Sequence, residues 1–96
     1  MPYLILFEDA EGYDHIRGEK MPDHLAFLQQ NAAVITAAGP LFEGDQGAGG
    51  AWIVTTDTAA AAEALVHADP FWPTGLRKSV RILRWKQVFA DGSVAG

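Results

Sequence analysis

The stretch AWIVTTDTAAAAEALVHADPF, residues 51–71, changes from a strand pattern to a helix pattern within a few positions. Residues 51–55 are mostly aromatic or β-branched, which favours a β-strand. Asp57 is a good helix N-cap, and the alanine-rich residues 58–68 favour an α-helix. Pro70 disfavours continuation of that helix. This stretch therefore predicts a β-α unit that ends in an Asp-Pro turn.

The rest of the chain extends this unit in both directions. Short apolar runs predict two strands before it and one after it, and a helix is predicted after the first strand. The predicted elements are strands at 3–7, 33–38 and 80–89 and a helix at 21–30. The full order is β-α-β-β-α-β, which predicts a ferredoxin-like α+β fold, an antiparallel sheet with two helices on one face. We expect one domain over residues 1–90 and a flexible tail over residues 91–96.

The predicted connections are rich in glycine and polar residues. Residues 8–19 are expected to form a loop that leads into the first helix, and Gly39-Pro40 is expected to break the second strand. Residues 43–50 contain four glycines and predict a turn or a mobile hairpin loop. The strands that carry Trp52, Trp85 and Phe89 must each turn one side to the face that the helices leave uncovered. An apolar face of this kind usually marks an interface, so we expect a homodimer packed sheet to sheet, with the functional cavity nearby.

Composition and charge narrow the classes of function. The chain has 96 residues, of which 49% are hydrophobic, enough for one globular core. Its net charge of −5 opposes nucleic-acid binding. The absence of cysteine excludes disulfides and a Cys nucleophile. No apolar run approaches the ~20 residues of a membrane helix, and residues 1–9 lack a signal-peptide pattern, so we expect a cytoplasmic protein without membrane partners.

Few side chains are candidates for chemistry. The histidines are His15, His24 and His67, and none is spaced with another as a metal pair, so neither a metal nor a cofactor is expected. His15 lies in a polar stretch, and His67 is interpreted as a helix-end residue. Asp69 before Pro70 is a turn-forming residue when considered alone. A basic cluster is interpreted as a solvated strand face or an anion-facing edge: Arg77, Lys78, Arg81, Arg84 and Lys86.

His24 differs from the other two histidines by its predicted position. Pro22 suits the first turn of a helix, because its missing N–H costs nothing there, and Asp23 complements the positive end of the helix dipole. That end disfavours a positive charge on His24. A neutral imidazole could exchange protons near pH 7, although a partly buried structural His is the alternative.

Four ordered segments resemble one known family. They are the Pro-x-His-Leu segment within 21–28, Ala-Gly-Pro within 37–40, Asp-Pro-Phe within 68–71 and the closing segment 85–89. Together they resemble the YciI-like (YCII-related) family of the dimeric α/β-barrel superfamily. The resemblance implies a ferredoxin-like protomer, a sheet-to-sheet dimer and a His–Asp pair, which maps to His24 and Asp69. It also matches Arg17 to a family arginine, whereas Met21 stands where the family often has a second one.

The resemblance implies a small-molecule enzyme. We expect lyase- or isomerase-type proton transfer, with His24 as general acid/base and Asp69 orienting its imidazole. The predicted substrate-binding residues are Arg17, Gly39, Pro40, Trp52, Phe71 and Trp72. A second hypothesis is a non-catalytic ligand-binding or accessory module that acts as a dimer. A third is a haem- or oxygen-handling barrel with His67 or His24 as axial ligand.

Overall fold

The computed structural model describes residues 2–94, which contain two α-helices and six strands, with a short 3-10 helix at Trp72–Thr74. The helices are α1 (Asp14–Gln30) and α2 (Ala59–Ala68). The strands are β1 (Pro2–Asp9), β2 (Ile35–Glu43), β3 (Gln46–Thr55), β4 (Arg77–Arg84), β5 (Phe89–Ala90) and β6 (Ser93–Val94). The first four strands form an antiparallel sheet in the order β2-β3-β1-β4. This is the predicted ferredoxin-like α+β fold.

The two faces of the sheet are packed differently. Along β1, Tyr3, Ile5 and Phe7 are buried, while the residues between them are only half-buried. Trp52 lies opposite Ile5 and is 2% exposed, so its side chain belongs to the covered face. On the other face, Leu4 lies between Ile53 and Leu83, which leaves an apolar surface without helices over it.

The helices pack on the covered face through few residues. In α2, Ala62 and Val66 are fully buried, and Phe27 of α1 joins the same core. The cap of α2 is Thr58 rather than the predicted Asp57, because the Thr58 hydroxyl accepts a hydrogen bond from the Ala61 amide at 3.1 Å. Within residues 2–94, no helix is both long and apolar enough to cross a membrane.

Helix α1 begins eight residues before Pro22, and β1 continues to Asp9, so the prediction of a loop over residues 8–19 is correct only for residues 10–13. Pro22 lies inside the helix, where it removes one backbone donor but does not interrupt the helical turns. Asp14 in the first turn complements the positive end of the dipole. His15 is consequently in the first turn of α1, and His24 is in the helix interior.

Strand β2 continues through Gly39-Pro40, which was predicted to break it, and ends at Glu43. Proline is tolerated here because β2 is an edge strand of the sheet. The hairpin turn to β3 consists of residues 44–45 alone, so the predicted loop over 43–50 is mostly strand. Within β3, Gly49 has φ +90°, and a Cβ built there would lie 1.9 Å from the Phe7 carbonyl oxygen.

The C-terminal part also differs from the prediction of one strand over residues 80–89. Strand β4 ends at Arg84, and β5 pairs with β6 in a separate two-stranded sheet. The turn between them is Asp91-Gly92, and both residues have positive φ, 54° and 76°. That is the preferred chemistry of a tight hairpin turn. The predicted tail over 91–96 thus includes β6, while residues 95–96 lie outside the described residues.

Candidate active site

The candidate site is a cavity of about 100 Å³ between α1 and the covered face of the sheet. Its apolar walls include Phe7 and Trp52, whose rings are 5.1 Å apart and meet edge to face. The polar side chains at this cavity are Arg17, His24 and Arg77. The cavity is therefore small and largely apolar, with a few polar groups converging on it, which is the usual composition of a small-molecule site.

His24 and Asp69 meet across 45 residues of sequence. The His24 Nδ1 atom lies 2.9 Å from Asp69 Oδ1, and the two residues are 6% and 1% exposed. The contact does not depend on the start of α1, because His24 lies in the helix interior. The prediction that His24 lies in the first turn of the helix is therefore wrong, and the dipole effect, which is confined to that turn, does not favour a neutral imidazole here.

Asp69 follows α2 in an extended conformation, with φ −67° and ψ 134°. Its Oδ1 also accepts a hydrogen bond from the Phe71 amide at 3.1 Å, which fixes the carboxylate on its own turn. The turn-forming role expected for an Asp before Pro70 is thus present together with the contact to His24. The turn also places the Phe71 ring 4.4 Å from the His24 ring, behind the imidazole.

Arg77, at the start of β4, is the third member of this group. Its Nη1 donates to Asp69 Oδ2 at 2.5 Å, and its guanidinium lies 3.9 Å from the Phe7 ring centroid. Only 4% of its side chain is exposed, so the interpretation of Arg77 as part of a solvated basic face is wrong. The position of Arg77 follows from the register between β1 and β4. Arg77 lies opposite Asp9 beside an irregularity in β1, and the local sequence does not reveal this pairing.

These contacts set the charges of the group. Burial by itself raises the pKa of Asp69, but the hydrogen bond from His24 and the charge of Arg77 outweigh it and bring the pKa below its ordinary value. Burial lowers the pKa of Arg77, against the opposing effect of Asp69. An ionised Asp69, balanced by Arg77, therefore contacts both His24 and Arg77, which line the cavity.

The charge of Asp69 assigns the proton on His24. An ionised carboxylate only accepts hydrogen bonds, so Nδ1 of His24 carries the hydrogen that Asp69 Oδ1 accepts. In the neutral ring, Nε2 is then the acceptor nitrogen. Within residues 2–94, neither a side chain nor a backbone amide forms a hydrogen bond with Nε2. Nε2 is also not among the buried side-chain atoms that lack a hydrogen-bond partner. His24 can therefore accept a proton at Nε2 while Asp69 stabilises the resulting charge.

Arg17, which lines the same cavity, belongs to a second ion pair. Arg17 on α1 donates to Asp9 Oδ2 at 2.6 Å, and about a quarter of each side chain is exposed. The other carboxylate oxygen, Asp9 Oδ1, is buried and has no hydrogen-bond partner among the described residues. Arg17 thus reaches the predicted site, and its positive charge is paired with Asp9.

The structure places most of the predicted substrate-binding residues around His24. Gly39, Pro40 and Trp52 line the cavity, and Phe71 packs against the imidazole. Trp72 lies elsewhere: its ring is 4.4 Å from that of His67, at a separate cavity of about 430 Å³ between α2 and β4. No group of three or more potential metal ligands occurs within the described part of the chain.

Comparisons with known proteins agree with this architecture. A solved structure of 5-chloro-2-hydroxyhydroquinone dehydrochlorinase from Burkholderia phenoliruptrix AC1100, in complex with 2,5-dihydroxybenzoquinone, is 27% identical to this chain. The match covers 90% of this chain and 94% of the other, with a TM-score of 0.79. No curated protein matches at a significant level. The YCII-related domain family matches residues 1–86, and the chain therefore belongs to this family.

Proposed function

We propose that this protein is a small-molecule enzyme that transfers protons with His24, in lyase- or isomerase-type chemistry on a small hydroxylated ring. The observation that carries the proposal is the buried 2.9 Å contact of His24 Nδ1 with Asp69, which leaves Nε2 as the free acceptor at the cavity. A base held in one tautomer by a carboxylate is the usual arrangement for general acid–base catalysis.

Two observations support a ring-shaped substrate. Phe7 and Trp52 give the cavity flat aromatic walls. The similar structure carries the name of a dehydrochlorinase acting on a hydroxyhydroquinone, and it was solved with a dihydroxybenzoquinone. A substrate of the same kind would fit the chemistry of His24, because proton transfer to and from ring hydroxyls needs no further group.

An elimination of hydrogen chloride from such a ring can be written with His24 alone. Nε2 accepts a proton from one ring hydroxyl, and that oxygen becomes a carbonyl as the ring electrons shift toward the carbon that bears chlorine. The imidazolium returns the proton to this carbon. Nε2 then removes a proton from a second hydroxyl, a second carbonyl forms, and chloride leaves with its bonding pair. The net change is loss of one proton and one chloride, and Asp69 stabilises His24 each time it is charged.

We include a homodimer in the proposal. The helices cover one face of the sheet, and the other face presents Leu4, Ile53 and Leu83 side by side. An uncovered apolar face on a small domain is costly in water, and a second copy packed sheet to sheet would bury it. Analytical ultracentrifugation should give twice the mass of the chain, and Leu4→Glu should shift the protein toward monomer.

Turnover of a chlorinated hydroxyhydroquinone tests the catalytic proposal. Chloride release by the wild type should fall by about 10²–10⁴-fold in His24→Gln, because general acid–base catalysis contributes that much. Deuterium incorporation at ring carbons of 1,2,4-trihydroxybenzene in D₂O should fall in parallel. His67→Gln is the matched control, because His67 lies at the other cavity, and it should retain wild-type rates. Binding without chloride release or exchange would favour the non-catalytic module.

A further inference from the structure

We infer that Asp9 is a specificity-determining residue: by pairing with Arg17 it makes the cavity select uncharged rings over rings that carry a carboxylate. The inference rests on the proposed function, because it concerns the ligand of the same cavity. The property in question is the charge of the ligand that the cavity accepts, which the His–Asp pair does not determine.

Two cations reach the cavity, and each has a carboxylate partner. Arg77 donates to Asp69 at 2.5 Å and has a side chain that is 4% exposed, so its charge is neutralised inside the protein. Arg17 donates to Asp9 at 2.6 Å. A carboxylate on a ligand would therefore have to compete with Asp9 for Arg17, or lose its water without gaining a cation.

The geometry of Asp9 strengthens this effect. Its Oδ2 accepts from Arg17, while its Oδ1 is buried without a partner within residues 2–94. The buried oxygen is out of reach of a ligand, but the negative charge of Asp9 beside Arg17 repels a second anion. Met21 also lines the cavity and offers no charge. The side chains around Arg17 thus disfavour a carboxylate on the ligand and accept an uncharged hydroxyl group in its place.

Hydroquinone and 4-hydroxybenzoate form a matched pair of probes, because they differ only in a hydroxyl or a carboxylate at the same ring position. In calorimetric titrations at pH 7, the wild type should bind hydroquinone about tenfold or more tightly than 4-hydroxybenzoate. In Asp9→Asn, the released Arg17 should tighten 4-hydroxybenzoate binding by about tenfold or more, while hydroquinone binding changes by less.

Three further variants identify the cause. Asp9→Asn combined with Arg17→Gln should abolish the gain, because the gain requires the released guanidinium. Arg17→Gln alone should leave 4-hydroxybenzoate as the weaker ligand. This variant replaces Asp9→Asn in the test if Asp9→Asn does not fold. Asp14→Asn removes the same charge from the first turn of α1, where no hydrogen bond joins Asp14 to Arg17 within residues 2–94. It should not produce the tenfold gain.

The outcomes separate this inference from the proposed function. Equal binding of the two probes by the wild type, no gain in Asp9→Asn, or an equal gain in Asp14→Asn would each overturn the role of Asp9. Absence of binding of either ring by any variant would also overturn it, and the turnover test of His24 would still stand. Charge selection without any loss of turnover in His24→Gln would instead reject the catalytic proposal alone.

Discussion

Residues 2–94 contain two histidine–carboxylate pairs, and the surroundings of the two pairs differ more than their composition. His24 and Asp69 are 45 residues apart in sequence, 2.9 Å apart in space and almost fully buried. His67 and Glu63 are four residues apart on α2, 3.7 Å apart, with side chains 48% and 60% exposed. Each imidazole lies 4.4 Å from an aromatic ring, and those rings, Phe71 and Trp72, are neighbours in the chain.

The difference shows why burial and hydrogen bonding indicate the candidate site better than cavity volume does. The exposed pair lies at the larger cavity of about 430 Å³, yet solvent screens its charges and its contact is long. The buried pair lies at a cavity of about 100 Å³, where Asp69 also needs Arg77 to compensate its lost hydration. A carboxylate held in this way can orient an imidazole, whereas Glu63 is free to leave His67.

The largest difference in stability between the pairs is expected from deleting the carboxylates. Asp69→Ala should lower the free energy of unfolding by about 3–5 kcal/mol, because it leaves the buried Arg77 charge without its partner. Glu63→Ala should change it by less than about 0.5 kcal/mol, as is typical at exposed sites. Urea unfolding followed by tryptophan fluorescence measures both values. Similar losses in the two variants would contradict the assignment of Asp69 as the compensated buried charge.

Acid should weaken the buried pair specifically. The pKa of Asp69 in the folded protein is below its ordinary value of 3.8, so its stabilising contribution is complete above that pH. The contribution is lost as the pH falls through the folded pKa. The stability difference between the wild type and Asp69→Asn should therefore narrow below about pH 4. A Glu63→Gln comparison over the same pH series provides the control, and a difference for Asp69→Asn that stays constant to pH 2 would refute the prediction.

The sequence indicated His24 and Asp69 but not Arg77, which pairs with Asp69. The family-like segments indicated His24 and Asp69, whereas the Asp-Pro turn alone indicated only a turn-forming residue. Arg77 was missed because its neighbour is set by the register between β1 and β4, where it lies opposite Asp9. Nothing local distinguishes Arg77 from Arg81, which is exposed on the same strand.

The fold was predicted in order but not in all its boundaries. Pro22 is compatible with either the start or the interior of a helix, and the polar residues before it show little helical periodicity of apolar residues. The predicted start of α1 at residue 21 is therefore too late. The sequence did not indicate which residues of β3 face the helices, because apolar residues such as Trp52 and Ile53 occupy both faces of this strand. The hairpin of β5 and β6 was detectable, since Asp91-Gly92 is a strong turn signal.

The smallest expected effect concerns the exposed pair itself. A double-mutant cycle on Glu63→Ala and His67→Ala should give a coupling free energy of about 0.2–0.5 kcal/mol at low salt and pH 5. At 1 M salt the Debye length is about 3 Å, so the coupling should fall toward zero. The cycle requires four unfolding curves at each salt concentration. A salt-resistant coupling above about 1 kcal/mol would mean that the His67 pair is shielded like the His24 pair, and the contrast between the two regions would then no longer hold.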